Sequence, residues 1–289
     1  MVRLCAGTFG LALSGVLFAA PAWADCTPAA ANGVTATCTG VTIDQGGGGG
    51  IIAGYGAGVE TGVTVNVASG ATNTVTGSDV GIYLGDATVI NNAGGTVAGG
   101  AIGISAVTGF ADVFNSGSIA GSAQFGIFAG TNATVINTAG GAITGGTGGI
   151  LAVTGFADVT NSGTIAGGDT GIVANTGFAN VTNSGSIVGG FAYGISAGTN
   201  ATVTNTAGGI ITGGDTGIIA NNGFANITNS GRITGTNNSG ISAGTNATVT
   251  NKAGGTIVGG RTEFTVSVAS PTSPIPAPSP APATTALSL

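Results

Sequence analysis

Any chemistry in this chain has to be built from ten Asp and Glu residues, four Lys and Arg, three Cys and no His among 289 residues. Carboxylates gathered within a few ångströms could serve the acid and base steps of a polysaccharide hydrolase or lyase. The candidates are Asp112 with Asp158, at equivalent positions of a repeat, and Asp169 with Asp215, each inside Gly-Gly-Asp-Thr-Gly. The repeat sets the members of each pair two windings apart, about 10 Å at the stacking distance of β-strands. Positions equivalent to Asp112 in other windings hold Thr134, Asn180, Thr202, Asn226 and Thr248, so no carboxylate ladder is expected. Solvation of a polar surface accounts for these aspartates, and without histidine the acid-base and covalent routes are nearly closed. The expectation is a protein without catalysis, with no catalytic, cofactor-binding or metal residue to assign.

The tandem Gly-Gly-x-Gly-x-Asp units that bind calcium are missing, and the run Gly46 to Gly50 lacks the Lys and Ser/Thr of a phosphate loop. The first 24 residues, with Arg3, an apolar stretch from Phe9 to Ala20 and then Ala22-Trp23-Ala24, read as an export signal cleaved before Asp25. Export leaves Cys26 and Cys38 in an oxidising compartment. Their spacing is not Cys-x-x-Cys and no histidine completes a zinc site, so a disulfide is expected, stabilising by about 3 kcal/mol on the chain-entropy account. Without Arg3, three of the four basic residues remain against ten acidic ones. Neutralising phosphates needs clustered cations, so nucleic acid is not an expected partner. No later segment supplies the roughly 18 apolar residues of a membrane-spanning helix.

A repeat positions these residues. Gly-Ile recurs at Ile82, Ile104, Ile127, Ile150, Ile172, Ile195, Ile218 and Ile241, in steps of 22 or 23 residues. One stride is one coil of a solenoid, whose apolar side is buried only by stacking on the next coil. In Phe178 to Asn183, Ala179, Val181 and Asn183 face one way and Phe178, Asn180 and Thr182 the other, the alternation of a strand. Turns at Ser184-Gly185 and Gly189-Gly190 lead to strands around Ile187 and around Ile195 with Ala197, so each coil is a triangle. Valine or isoleucine piles up from Val89 to Val249, alanine two residues earlier from Ala87 to Ala247, and a third apolar column runs from Val97 to Ile257.

An asparagine column, Asn91, Asn115, Asn137, Asn161, Asn183, Asn205, Asn229 and Asn251, points inward at one corner. Each amide can donate to one neighbouring coil and accept from the other, satisfying groups whose burial would otherwise cost about 1 to 3 kcal/mol each. The predicted fold is all-β, a parallel β-helix of about nine three-strand coils. Residues 25–52 are assigned to an N-terminal cap with a first irregular coil, 53–268 to the repeats, and 269–289, rich in proline, to an extended tail or linker.

The outward face of the first strand carries the candidate binding residues. Phe110, Phe156, Phe178 and Phe224 share a column with Asn132, Asn200 and Asn246, beside a column that is Ile90, Phe114 and Ile136 early and Thr160, Thr182, Thr204, Thr228 and Thr250 later. Clustered exposed apolar area marks interaction sites, so the face Phe110, Phe114, Ile136, Phe156, Phe178 and Phe224 is expected to meet a partner surface or a neighbouring copy. The outward Thr202-Val203-Thr204 and Thr248-Val249-Thr250 have the form of an ice-binding ladder, which Asn180 and Asn226 interrupt.

The unit Ala-Thr-Val-Thr-Asn-x-Ala-Gly-Gly-x-Ile-x-Gly-Gly followed by Gly-Ile-x-Ala, as in Ala201 to Gly214 and Gly217 to Ala220, resembles the repeats of bacterial autotransporter passenger domains. The resemblance covers residues 25 to about 268. It implies a right-handed parallel β-helix, secreted or displayed on a Gram-negative cell by way of the periplasm. Such passengers commonly act as adhesins, so it also implies a rod binding a receptor, glycan or matrix, or neighbouring cells. Self-association is a further expectation. Passengers continue into a C-terminal β-barrel, whereas this chain reaches Leu289 without one, so membrane contact is expected only through a separate or missing translocator. The alternatives are a β-helical carbohydrate-active enzyme or an ice-binding protein.

Overall fold

A computed structural model describes residues 25–266 of the chain. The segments read as an export signal, 1–24, and as a proline-rich tail, 269–289, lie outside the described residues. Among the described residues the regular structure is entirely β-strand, stacked as a solenoid of about nine turns. Three sheets run along it. The first has 11 strands from Cys26–Thr27 to Ala247–Asn251, the second 10 from Val41–Ile43 to Thr256–Gly259, and the third 11 from Gly46–Gly48 to Thr262–Val266.

One winding shows why the chain takes this form. Ala179–Asn183 alternates buried and exposed, so Ala179, Val181 and Asn183 fill the interior while Asn180 and Thr182 meet water. Ser186–Gly189 turns Ile187 inward, and Tyr193–Ala197 contributes Ile195 and Ala197. Through the repeats each strand pairs in parallel with its counterparts one winding away, and in the inward columns like lies over like, as in Val159 beside Val181 and Val181 beside Val203. Stacking in register satisfies the backbone donors and acceptors and removes the aliphatic columns from water together.

The third strand begins ahead of the apolar column seen in the sequence. In Tyr193–Ala197 both Gly194 and Ile195 are buried, so strict alternation breaks there. A Cβ on Gly194 would lie 2.6 Å from the Gly217 carbonyl and 2.7 Å from a methyl of Ile211, and only glycine lets the strand bend over the core. Corner glycines divide into two kinds. Gly94, Gly140, Gly208 and Gly254 have φ of +80° to +87°, and they lie in the longer Asn-x-Ala-Gly-Gly corners, whose two extra residues require a left-handed turn.

The N-terminal end is closed. Cys26–Thr27 pairs antiparallel with Thr35–Cys38, and Gly46–Gly48 antiparallel with Ile51–Tyr55, reversing the parallel order at two edges. The Cys26–Cys38 disulfide joins the first pair. The Gln45 amide accepts from Cys26 N at 2.9 Å and donates to Cys26 O at 3.0 Å, and the Tyr55 hydroxyl donates to the Pro28 carbonyl at 2.9 Å. In the last described winding Val249 and Ile257 are only partly buried, whereas Ile227 and Ile233 one winding earlier are fully so.

Candidate functional site

The strand Ala111–Asn115 and its parallel neighbours form a regular platform, and alternation sends every second side chain off its outer surface. Phe110, Asp112 and Phe114 therefore leave one winding on the same side, and Phe114 lies in register between Ile90 and Ile136. Phe110, Phe114, Ile136, Phe178 and Phe224 are 40–46% exposed, and Phe156 is half-buried.

At the N-terminal part of the face Phe114 lies beside Ile136, while Phe110 stands at the other end of the same strand, about 13 Å along it. Phe156 and Phe178 stack, centroids 5.3 Å apart and planes 18° from parallel. Phe224 stands apart, two windings beyond Phe178. From Thr160 onward the face is hydroxylated, with Thr160, Thr182, Thr204, Thr228 and Thr250 in register. Phe191, which no column includes, projects from the corner after Ser186–Gly189 and is 81% exposed.

The carboxylates stay apart. Thr134 lies in register between Asp112 and Asp158, and Asp158 accepts from the Asn180 amide at 3.0 Å. Ala192 separates Asp169 from Asp215 through successive backbone bonds, and the Asp215 carboxylate accepts from the Thr216 hydroxyl at 3.0 Å. Among the described residues no three metal-ligating side chains converge.

The asparagine column lies inside. Each amide nitrogen donates to the amide oxygen of the next rung at 2.8–2.9 Å, from Asn91 to Asn251. The same nitrogens reach corner carbonyls of their own winding, such as Gly141 O from Asn137 at 3.2 Å. These groups are fully committed to one another. At the start of the ladder Asn91 Oδ1 is buried without a partner, because Val67 occupies the rung beneath.

Sequence reasoning passed over a cleft of about 280 Å³ in the cap, lined by Gln45, Tyr55, Glu60 and glycine backbone. The cleft's only carboxyl, Glu60, is buried and accepts from Ala57 N at 3.0 Å and Val59 N at 3.3 Å. Burial, with a smaller contribution from the Glu60 charge, raises the Tyr55 pKa above its ordinary value. With Gln45 and Tyr55 bonded to Cys26 and Pro28, the polar groups of this cleft are spent on holding the cap. Irregular spacing before Gly62 hid it, since no column there repeats.

A scan of family models finds none that matches the chain, and neither the curated proteins nor the solved structures searched include a match.

Proposed function

We propose that this chain is an exported β-helical passenger, an adhesive or structural rod on or outside a Gram-negative cell, which engages its partner through the outer face of the first sheet. One observation carries the reading: Phe110, Phe114, Ile136, Phe178 and Phe224 stand exposed along one face, where Thr, Asn and Asp fill the positions between them. A free surface has no use for such a row of apolar side chains, whereas a partner that covers it gains the burial of the aromatic rings. The passenger-like repeat and the export signal supply the address. The partner is a receptor, glycan or matrix component outside the cell, or a second rod.

The rod does no chemistry in this reading, because Asp112, Asp158, Asp169 and Asp215 stand apart and the inward asparagine column is consumed by packing. Incubation with a panel of polysaccharides is expected to release no reducing sugar, and measurable release would overturn that part. For the adhesive part, Phe110→Ser with Phe114→Ser is expected to lower attachment to cells or matrix at least tenfold with the thermal midpoint little changed. Unaltered attachment would count against it. The threonine ladder favours ice binding as a second reading, which thermal hysteresis in the purified protein would establish and its absence would remove.

A further inference from the structure

The corner column that precedes the first-sheet strands reads Phe110, Asn132, Phe156, Phe178, Asn200, Phe224, Asn246. Backbone bonds stack it directly: Ala111, Ala133, Ala157, Ala179 and Ala201 donate in turn to the carbonyls of Asn132, Phe156, Phe178, Asn200 and Phe224. The triplet Phe-Asn-Phe occurs twice in succession, and both copies are built alike. Asn132 Oδ1 accepts from Phe156 N at 3.1 Å, and Asn200 Oδ1 accepts from Phe224 N at 3.1 Å. The residue before each second phenylalanine is glycine, Gly155 or Gly223, where a Cβ would collide with that same carboxamide oxygen. Each asparagine is thereby turned onto the backbone of the next winding.

Between the two rings of a triplet this leaves a gap of roughly 10 Å, two strand spacings, floored by an amide. The Phe156 and Phe178 rings, near-parallel at 5.3 Å, are too close to lie edge to edge, so each turns one face toward the other and the opposite face toward the asparagine of its own triplet. A planar aromatic group would fill only part of such a gap. A puckered saturated ring, contacting each face at about 5 Å, fills it.

We propose that Phe110–Asn132–Phe156 and Phe178–Asn200–Phe224 are two equivalent subsites for a neutral terminal sugar. A pyranose inserts edge-on, its C–H faces against the two phenylalanine rings and a hydroxyl on the asparagine amide. This rests on the adhesive reading and names its ligand class. Terminal position follows from geometry: a sugar with its faces along the rod extends its chain away from the rod. Neutrality follows from charge, since Asp112 and Asp158 flank the first subsite and repel an acidic sugar, while the equivalent residues of the second are Asn180 and Asn226. Two subsites three windings apart, roughly 14 Å, suit a surface carrying many copies of the sugar, where weak single contacts multiply.

The test presents the full exported chain to immobilised conjugates bearing many copies of a neutral hexose, a neutral N-acetylhexosamine or glucuronic acid. Binding to a neutral conjugate is expected, with free monosaccharide competing only at millimolar concentration. Phe110→Leu or Phe224→Leu, which keeps apolar bulk but removes a ring, should weaken retention at least tenfold, and the two together should abolish it, with circular dichroism and the thermal midpoint unchanged. Retention undiminished by both leucines overturns the ring sandwich. Attachment to cells without binding to any neutral conjugate overturns the subsites and leaves the adhesive reading standing, whereas loss of both overturns the two together. Self-association in sedimentation that the leucines abolish, without sugar binding, also overturns the assignment in favour of a contact between rods.

Discussion

Every internal rung of the asparagine ladder is committed in both directions, so removing one side chain breaks the bonds of both neighbours. Asn161→Ala takes from the Asn137 amide its 2.8 Å acceptor, leaving it the carbonyls of Gly141 and Thr164, and leaves the buried Asn183 oxygen without its 2.8 Å donor. A loss of about 1 to 3 kcal/mol is expected from the unsatisfied oxygen, read as a lower denaturant midpoint. Asn251→Ala, at the exposed last rung, is expected to cost less than about 1 kcal/mol, and equal costs would contradict the cooperative ladder. Tyr55 gives a pH-dependent counterpart. Its folded-state pKa is raised, so the stability it contributes is whole below the unfolded value near 10.0 and is lost as pH rises through the folded value. Stability of the native chain is expected to fall more steeply above pH 10 than that of Tyr55→Phe, measured by denaturant titration at each pH.

Strands and corners carry the next constraint. A Cβ on Gly189 would collide with the Tyr193 carbonyl, and the same collision recurs at equivalent glycines such as Gly167 and Gly213. Gly189→Ala is therefore expected to destabilise by about 1 to 3 kcal/mol although alanine suits a strand position no worse than glycine. At the N-terminal edge the two antiparallel pairs close what would otherwise be open rows of donors and acceptors. Joining residues 12 apart, the Cys26–Cys38 bond holds one of them in place, and Cys26→Ser with Cys38→Ser is expected to lose about 3 kcal/mol. Amide exchange should then rise first in Thr35–Cys38 and Thr64–Val67, whereas uniform exchange along the rod would show that the bond stabilises without closing the edge.

At the scale of the whole molecule, stacking turns a local pattern into long faces, and what one winding displays is multiplied along the rod. The sequence alone determined the period, the three strands per winding, which side chains point inward and which column holds asparagine. Those properties are local: alternation is decided within five residues, and a stride of nearly constant length places like on like. Asn132 and Asn200 were visible as members of a mixed Phe/Asn column, yet nothing in their spacing said that their amides bond the next phenylalanine's backbone. Nor could it show the stacking of Phe156 on Phe178, the burial of Gly194 within a strand, or the enclosure of Glu60 and Tyr55 beneath the cap. The tertiary structure decided these, because each depends on a rotamer or a bend chosen by contact with a residue about 22 or more positions away, and such contacts exist only once one winding has settled on another.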